Sequence, residues 1–244
     1  NKSTMIKYIY DIFYTRSQKT EKGKYFDVNI HVIKQTNNEN LIKLFENKIC
    51  LPKLIELYYM SHIEHQRNNR LTPDVGMSRE KDLIAYMKYI LEDKVNYKID
   101  NEKEEDVICD GRKISIKHSS VKTLSNASIK LQWTENKEKQ KQFIETFTFK
   151  CDLMIVYVRF KESGGEIEIM YSTVDILNKL LNEFKEMKKD IFKMRENSNG
   201  RGIEFNRIFF EHMIKNCDYN VKISFSDLKL DNIDSIDRRL NLIK

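Results

Sequence analysis

The sequence predicts a mixed α/β fold with helical additions at both ends. Three stretches predict it. Residues 78–91 place Leu83, Ile84, Met87, Ile90 and Leu91 at the three- and four-residue spacing of an amphipathic helix. Residues 106–119 alternate apolar and polar around Asp110-Gly111, a dipeptide that favours the two-residue hairpin turn. Residues 151–160 are nearly all apolar, as a strand covered on both faces requires.

Taken in order, the first 75 residues read as mainly helical. Met5, Ile6, Ile9, Ile12 and Phe13 recur at helical spacing, as do Leu41, Ile42, Leu44, Phe45 and Ile49. Residues 26–33 alternate like a strand, and Pro52 suits the first turn of a helix carrying Leu54, Ile55 and Tyr58. The polar run 66–70 followed by Thr72-Pro73-Asp74 reads as a loop and a boundary, with Ser78 as the N-cap of the next helix. Strands are expected near 96–100, 106–110 and 113–119, then a lysine-rich helix over 135–148 and the strand at 151–160. The order is thus helix, three strands, helix, strand. Beyond it come a strand at 166–171 and a helix over 173–195 with Ile176, Leu177, Leu180, Leu181, Phe184 and Ile191 on one side. Residues 203–215 read as helix, and Val221, Ile223 and Phe225 alternate like an edge strand. The chain therefore divides into a helical N-terminal region (1–75), a core (76–171) and an extension packed on it (172–244), all within one compact body.

Of the 244 residues 33% are charged, and 43 Lys+Arg against 37 Asp+Glu leave a net charge of +6, compatible with a basic face that neutralises phosphates. Ordinary lysine-rich proteins reach the same value, so charge alone does not choose. Cys50, Cys109, Cys151 and Cys217 stand singly, without a CxxC pair or a disulfide-framework spacing, and read as reduced core residues. No run approaches the ~18 apolar residues of a membrane span and the start lacks an export signal, so no membrane and a cytoplasmic location are expected. The absence of GxGxxG, GxxxxGK(S/T) and GxSxG disfavours nucleotide-driven motors and α/β hydrolases, and no nucleotide cofactor is expected.

The informative stretch runs from Glu104 to Lys117. On a strand, Ser115 and Lys117 share one face while Ile114 and Ile116 take the other, and the hairpin folds Asp106 back beside them. A carboxylate, a short polar group and a lysine converge. Phosphodiester hydrolysis needs such a set, because water must become nucleophilic at neutral pH and charge building on the phosphate must be neutralised. Mg2+ between a carboxylate and a phosphate oxygen serves both needs, and its hard octahedral preference selects carboxylate, backbone carbonyl, water and phosphate oxygens.

The segment resembles the Asp…(Glu/Asp)-x-Lys signature of the PD-(D/E)XK nuclease superfamily, whose restriction-endonuclease-like core is a mixed sheet flanked by helices in the order α-β-β-β-α-β. The short gap and tight turn between Asp106 and Ser115 are similar to those of PvuII-like type II restriction endonucleases. The resemblance implies Asp106 as metal ligand, Lys117 as catalytic lysine and the carbonyl of Ile116 as a second ligand to Mg2+. Ser115 stands where the superfamily usually carries Glu or Asp, and Glu105 where proline is usual. A compensating carboxylate is then expected, and Glu80 is the choice, since the superfamily often carries a glutamate on the first core helix. Glu80 also fits a first-turn glutamate favoured by the helix dipole.

The implied activity is Mg2+-dependent, sequence-specific cleavage of double-stranded DNA by a homodimer, with residues 1–75 expected to serve dimerisation and DNA contacts. A structure-specific nuclease for junctions or repair, and a DNA-binding protein without catalysis, are the alternatives; preference for branched substrate, or binding unaffected by loss of Asp106 and Lys117, would distinguish them. DNA contacts are expected from Arg70, from Ser119, Ser120, Lys122, Thr123, Ser125 and Asn126, and from Asn199 and Arg201. Trp133 is expected in the core rather than stacked on bases. Asp110 is read as the turn residue, Glu104 and Glu105 as a solvated charge run, and His62 and His65, misplaced for HExxH, as a solvated helix face. His118, on the opposite strand face from Lys117, is expected in a core or supporting role.

Overall fold

The computed structural model describes residues 27–67, 72–97, 104–119, 129–132, 136–162, 164–195 and 202–226. Its N-terminal part comprises β1 (Asp27–Lys34), α1 (Glu39–Phe45), α2 (Leu51–Arg67) and α3 (Thr72–Leu91). Asn38 opens α1 by accepting from the backbone N–H groups of Asn40 and Leu41. Pro52 lies in the first turn of α2, as expected. The helix α3 starts at Thr72, six residues before the anticipated cap: Pro73 is tolerated in a first turn, and Ser78 lies inside the helix with its hydroxyl 3.1 Å from that of Ser61. The expected loop over 66–74 is thus largely helix, with 68–71 outside the described residues.

A seven-stranded sheet forms the centre, in the order β1-β10-β7-β6-β4-β3-β2. It contains β2 (Val95–Asn96), β3 (Val107–Cys109), β4 (Arg112–Ser119), β6 (Asp152–Lys161), β7 (Gly164–Ser172) and β10 (Tyr219–Ser226) besides β1. Strands β2, β3 and β4 form an antiparallel meander; β4 and β6 are parallel, and the chain between them passes through α4 (Lys137–Thr146). The β3–β4 turn is the anticipated one: Asp110 (φ 51) and Gly111 (φ 77) both take the left-handed conformation of a type I′ turn. A second sheet, order β5-β9-β8, is built from β5 (Lys130–Gln132), β8 (Phe192–Arg195) and β9 (Gly202–Phe205).

The helix expected over 173–195 ends early. It is α5 (Val174–Glu186), closed by a Schellman arrangement in which Lys188 takes φ 52 and the Lys189 N–H donates to the Phe184 carbonyl at 3.0 Å. Residues 203–205 likewise belong to β9, and α6 (Arg207–Asn216) begins only after the Asn206 cap. Strand β10 is not an edge strand: it pairs with β1 on one side and β7 on the other. The C-terminal addition is therefore α/β rather than helical, and the N-terminal one contributes a strand as well as helices.

Pleat alternation divides the core into two. Ile114, Ile116, Met154, Val156, Ile167, Ile169, Val221 and Ile223 pack under α1, α2 and α3. Leu153, Ile155, Tyr157 and Met170 face α5, α6 and the small sheet. The stripe Leu83, Ile84, Met87, Ile90 and Leu91 is buried on the first side, each side chain contributing about 1.5–3 kcal/mol. This packing holds α3 against β4, which brings the candidate site together.

Candidate active site

Three consecutive residues of β4 converge on one carboxylate oxygen. Asp106 extends the hairpin ladder one step past β3, its N–H donating to the Ile114 carbonyl at 2.9 Å. Its Oδ2 then accepts from the Ile116 backbone N–H at 2.5 Å and the Ser115 hydroxyl at 3.2 Å, with Lys117 Nζ at 3.5 Å. Two of these contacts follow from alternation, since Ser115 and Lys117 share a face. The third follows because a strand edge presents its N–H groups sideways. Lys117 and Asp106 remain open to solvent, with side chains 39% and 19% exposed, whereas Ser115 is buried.

A second carboxyl reaches this group from the helix layer. Glu80, half-buried in the middle of α3 and not in its first turn because the helix already begins at Thr72, is pushed up to about 7 by burial first, then by the negative charge of Asp106, with which its side chain hydrogen-bonds; Lys117 opposes the shift. The arrangement is two carboxyls and a lysine, drawn from α3, the foot of β3 and the middle of β4. Two carboxyls this close favour sharing one proton unless a cation lies between them.

Residues that were not expected at the site complete the surroundings. Tyr97, just past β2, has its hydroxyl pushed up by burial and then by Glu80 and Asp106. Burial raises Glu104, against the pull of Lys150 and Lys117. Glu105 pairs with Lys113 at 3.4 Å, so the expected solvated charge run is in part engaged with the site's lysines. Burial pushes the Cys151 thiol up to about 12, with Glu104 and Asp106 adding to the shift, which leaves it un-ionised and inert. The alternation after Asp110 was readable beforehand; the approach of Tyr97 and Lys150 depends on how strands and helices pack.

His118 points to the other face, as expected. Burial first, then the positive charges of Arg79 and Lys117, lower it to about 3, so the imidazole stays neutral. The pair His62 and His65 departs from the anticipated solvated face. His65 is buried, and His62 stacks on Phe160 with centroids 4.9 Å apart, because α2 lies against the sheet rather than standing clear of it. Of the expected DNA-contacting residues, Ser119 closes β4; Arg70, Ser120, Lys122, Thr123, Ser125, Asn126, Asn199 and Arg201 lie outside the described residues, as does Trp133. A pocket of about 330 Å³ lies at the turn end of the hairpin, lined by Asn38, Asn40, Lys94, Asp110, Arg112 and Tyr171 among others. None of Asp106, Ser115, Lys117 or Glu80 lines it.

The family model of the restriction endonuclease ThaI matches residues 41–242. A solved structure described as a restriction endonuclease in complex with substrate DNA superposes with a TM-score of 0.62 at 24% identity, covering 83% of this chain and 98% of its own. No curated protein matches the chain. Among the described residues no helix is long and apolar enough to cross a membrane.

Proposed function

The chain belongs to the ThaI restriction endonuclease family, and on that premise we propose that its type II restriction cleavage is carried out with Mg2+ at the Asp106, Lys117 and Glu80 group. The observation that carries this reading is the convergence of Ser115, Ile116 and Lys117 on the Asp106 carboxylate, with Glu80 bonded to the same group. The order α3, β2, β3, β4, α4, β6, with β4 and β6 parallel, supports placing the fold with the PD-(D/E)XK nucleases.

The donor set fits a hard dication. A cation between Glu80 and Asp106 would favour the ionised form of both, which proximity alone disfavours. Among the described residues no cluster of three or more His, Cys, Asp or Glu side chains could hold a metal. The two carboxyls would therefore be completed by the Ile116 carbonyl, water and a phosphate oxygen, the sparse protein ligation that Mg2+ accepts. When bound, the ion lowers the pKa of water and neutralises charge on the phosphate.

The chain's own residues do the rest. Ser115 and the Ile116 N–H orient the Asp106 carboxylate, fixing which way it faces the phosphate. Lys117, with Nζ 3.5 Å from Asp106, orients the attacking water and offsets negative charge on the phosphate. The helix-borne Glu80 supplies the acidic oxygen that Ser115 lacks. Cleaving both strands of a palindrome with one such site per chain calls for a two-fold homodimer.

Plasmid digestion tests the reading. With Mg2+ the chain should give discrete fragments that EDTA abolishes, and Asp106→Ala or Lys117→Ala should be inactive yet still bind DNA in Ca2+. Cleavage at the wild-type rate by both variants would refute the assignment of this group.

A further inference from the structure

Strand β4 is unevenly supported. It pairs with β3 from Arg112 to Ile114 and with β6 from Ile114 to Ser119, so that among the described residues Ile114 alone has a strand partner on both sides. Past Ile114, the backbone contact on the β3 side among the described residues runs from the Ile116 N–H to the Asp106 carboxylate, which the Ser115 and Lys117 side chains also reach. Among the described residues, the half that carries Lys117 therefore has β6 as its one strand partner. Something else must set its twist, because pleat alternation converts any rotation there into a displacement of the lysine head on the opposite face.

The helix layer supplies a directional contact at that point. The Tyr58 hydroxyl of α2 lies 3.0 Å from His118 Nε2, and the two rings meet edge to face with centroids 5.6 Å apart. Tyr58 is fully buried, so water does not compete for the bond. Helix α2 is itself tied to α3: the Ser61 hydroxyl donates to the buried Asp82 carboxylate and lies 3.1 Å from the Ser78 hydroxyl. One helix thus braces both the element that carries Glu80 and the strand that carries Lys117. An apolar pair would fill the same volume, but only a hydrogen bond fixes the direction of the strand.

We propose that Tyr58 and His118 are positioning residues for cleavage: their hydrogen bond pins the second half of β4 to the helix layer and so fixes where Lys117 stands beside Asp106. This rests on the assignment of Asp106 and Lys117 to the reaction. Neither residue touches substrate. Both act through the strand, and a displacement on the order of 1 Å at a reacting group costs roughly 10²-fold in rate.

The test is single-turnover cleavage at saturating Mg2+, with DNA affinity measured separately in Ca2+. Tyr58→Phe, which removes one oxygen and keeps the ring, and His118→Leu should each cleave about 10- to 100-fold more slowly while DNA affinity changes less than about twofold. His118→Gln, whose amide can reach the position of Nε2, should recover the rate to within about threefold of wild type. A role confined to stability would lower folded yield and binding together and would not separate Gln from Leu. Wild-type rate in Tyr58→Phe, or equal rates for His118→Gln and His118→Leu, would overturn the proposal. Should His118→Leu fail to fold, Tyr58→Phe decides by itself. Wild-type protein that does not cut, or a Lys117→Ala variant that cuts normally, would instead overturn the site assignment and this proposal with it.

Discussion

Glu80→Gln tests the proposed metal site through stability as well as rate. In the folded chain Glu80 holds its proton up to about 7, against an ordinary value of 4.5, because burial and the Asp106 charge disfavour ionisation. Below about pH 4.5 the group is protonated folded or unfolded; between there and about pH 7 only the folded chain keeps the proton. Its contribution is thus fully present at low pH and lost as pH rises through 7. The full difference would be about 3 kcal/mol, but Glu80 is only half-buried and solvent screening reduces it to about 1 kcal/mol, or roughly 2–4 °C in Tm for a chain of this size. In EDTA, the wild-type Tm should fall by that much more than that of Glu80→Gln between about pH 5 and about pH 8. Adding Mg2+ at the higher pH should restore the wild type and leave the variant nearly unmoved, since binding stabilises only the state that binds. Differential scanning fluorimetry reads both effects. Parallel Tm curves across the window, with equal Mg2+ shifts, would refute the placing of Glu80 at a metal site.

Three further outcomes are expected. Asp106→Ala and Lys117→Ala should each lower single-turnover cleavage by about 10³-fold or more, with gel-shift affinity in Ca2+ largely preserved. Arg112→Ala should destabilise the fold by about 2–4 kcal/mol in urea unfolding, because Asp152, buried at 2% exposure, loses a bidentate partner at 2.5 and 2.8 Å and keeps, among the described residues, Tyr171 and the Val174 N–H. Gly164→Ala should also destabilise, by about 1–3 kcal/mol, because a Cβ there would run into the backbone carbonyl of Phe225 in β10, which cannot swing aside as a side-chain tip could.

The hairpin and the site's core were legible in the sequence because both depend on short range. Asp110-Gly111 dictates a type I′ turn, and once it forms, alternation alone puts Ser115 and Lys117 on one face next to Asp106. The doubly covered strand β6 was equally readable from its apolar run. Places where the expectation missed share a different character. The start of α3 was set too late because Ser78 looks like a cap; in the fold its hydroxyl is taken up by Ser61. The end of α5 was set too late because Ile191 keeps the helical spacing, although Lys188 has already turned the chain toward β8.

Local chemistry in the sequence thus determined the hairpin, the face on which Asp106, Ser115 and Lys117 meet, and the doubly buried strand beside them. Tertiary structure alone decided that β10 sits inside the sheet, that His65 is buried, and that Glu80, 26 residues before Asp106, closes onto its carboxylate. The physical reason is the same for all three: partners distant in sequence are chosen by which apolar faces bury together, and no spacing along a single chain encodes that choice.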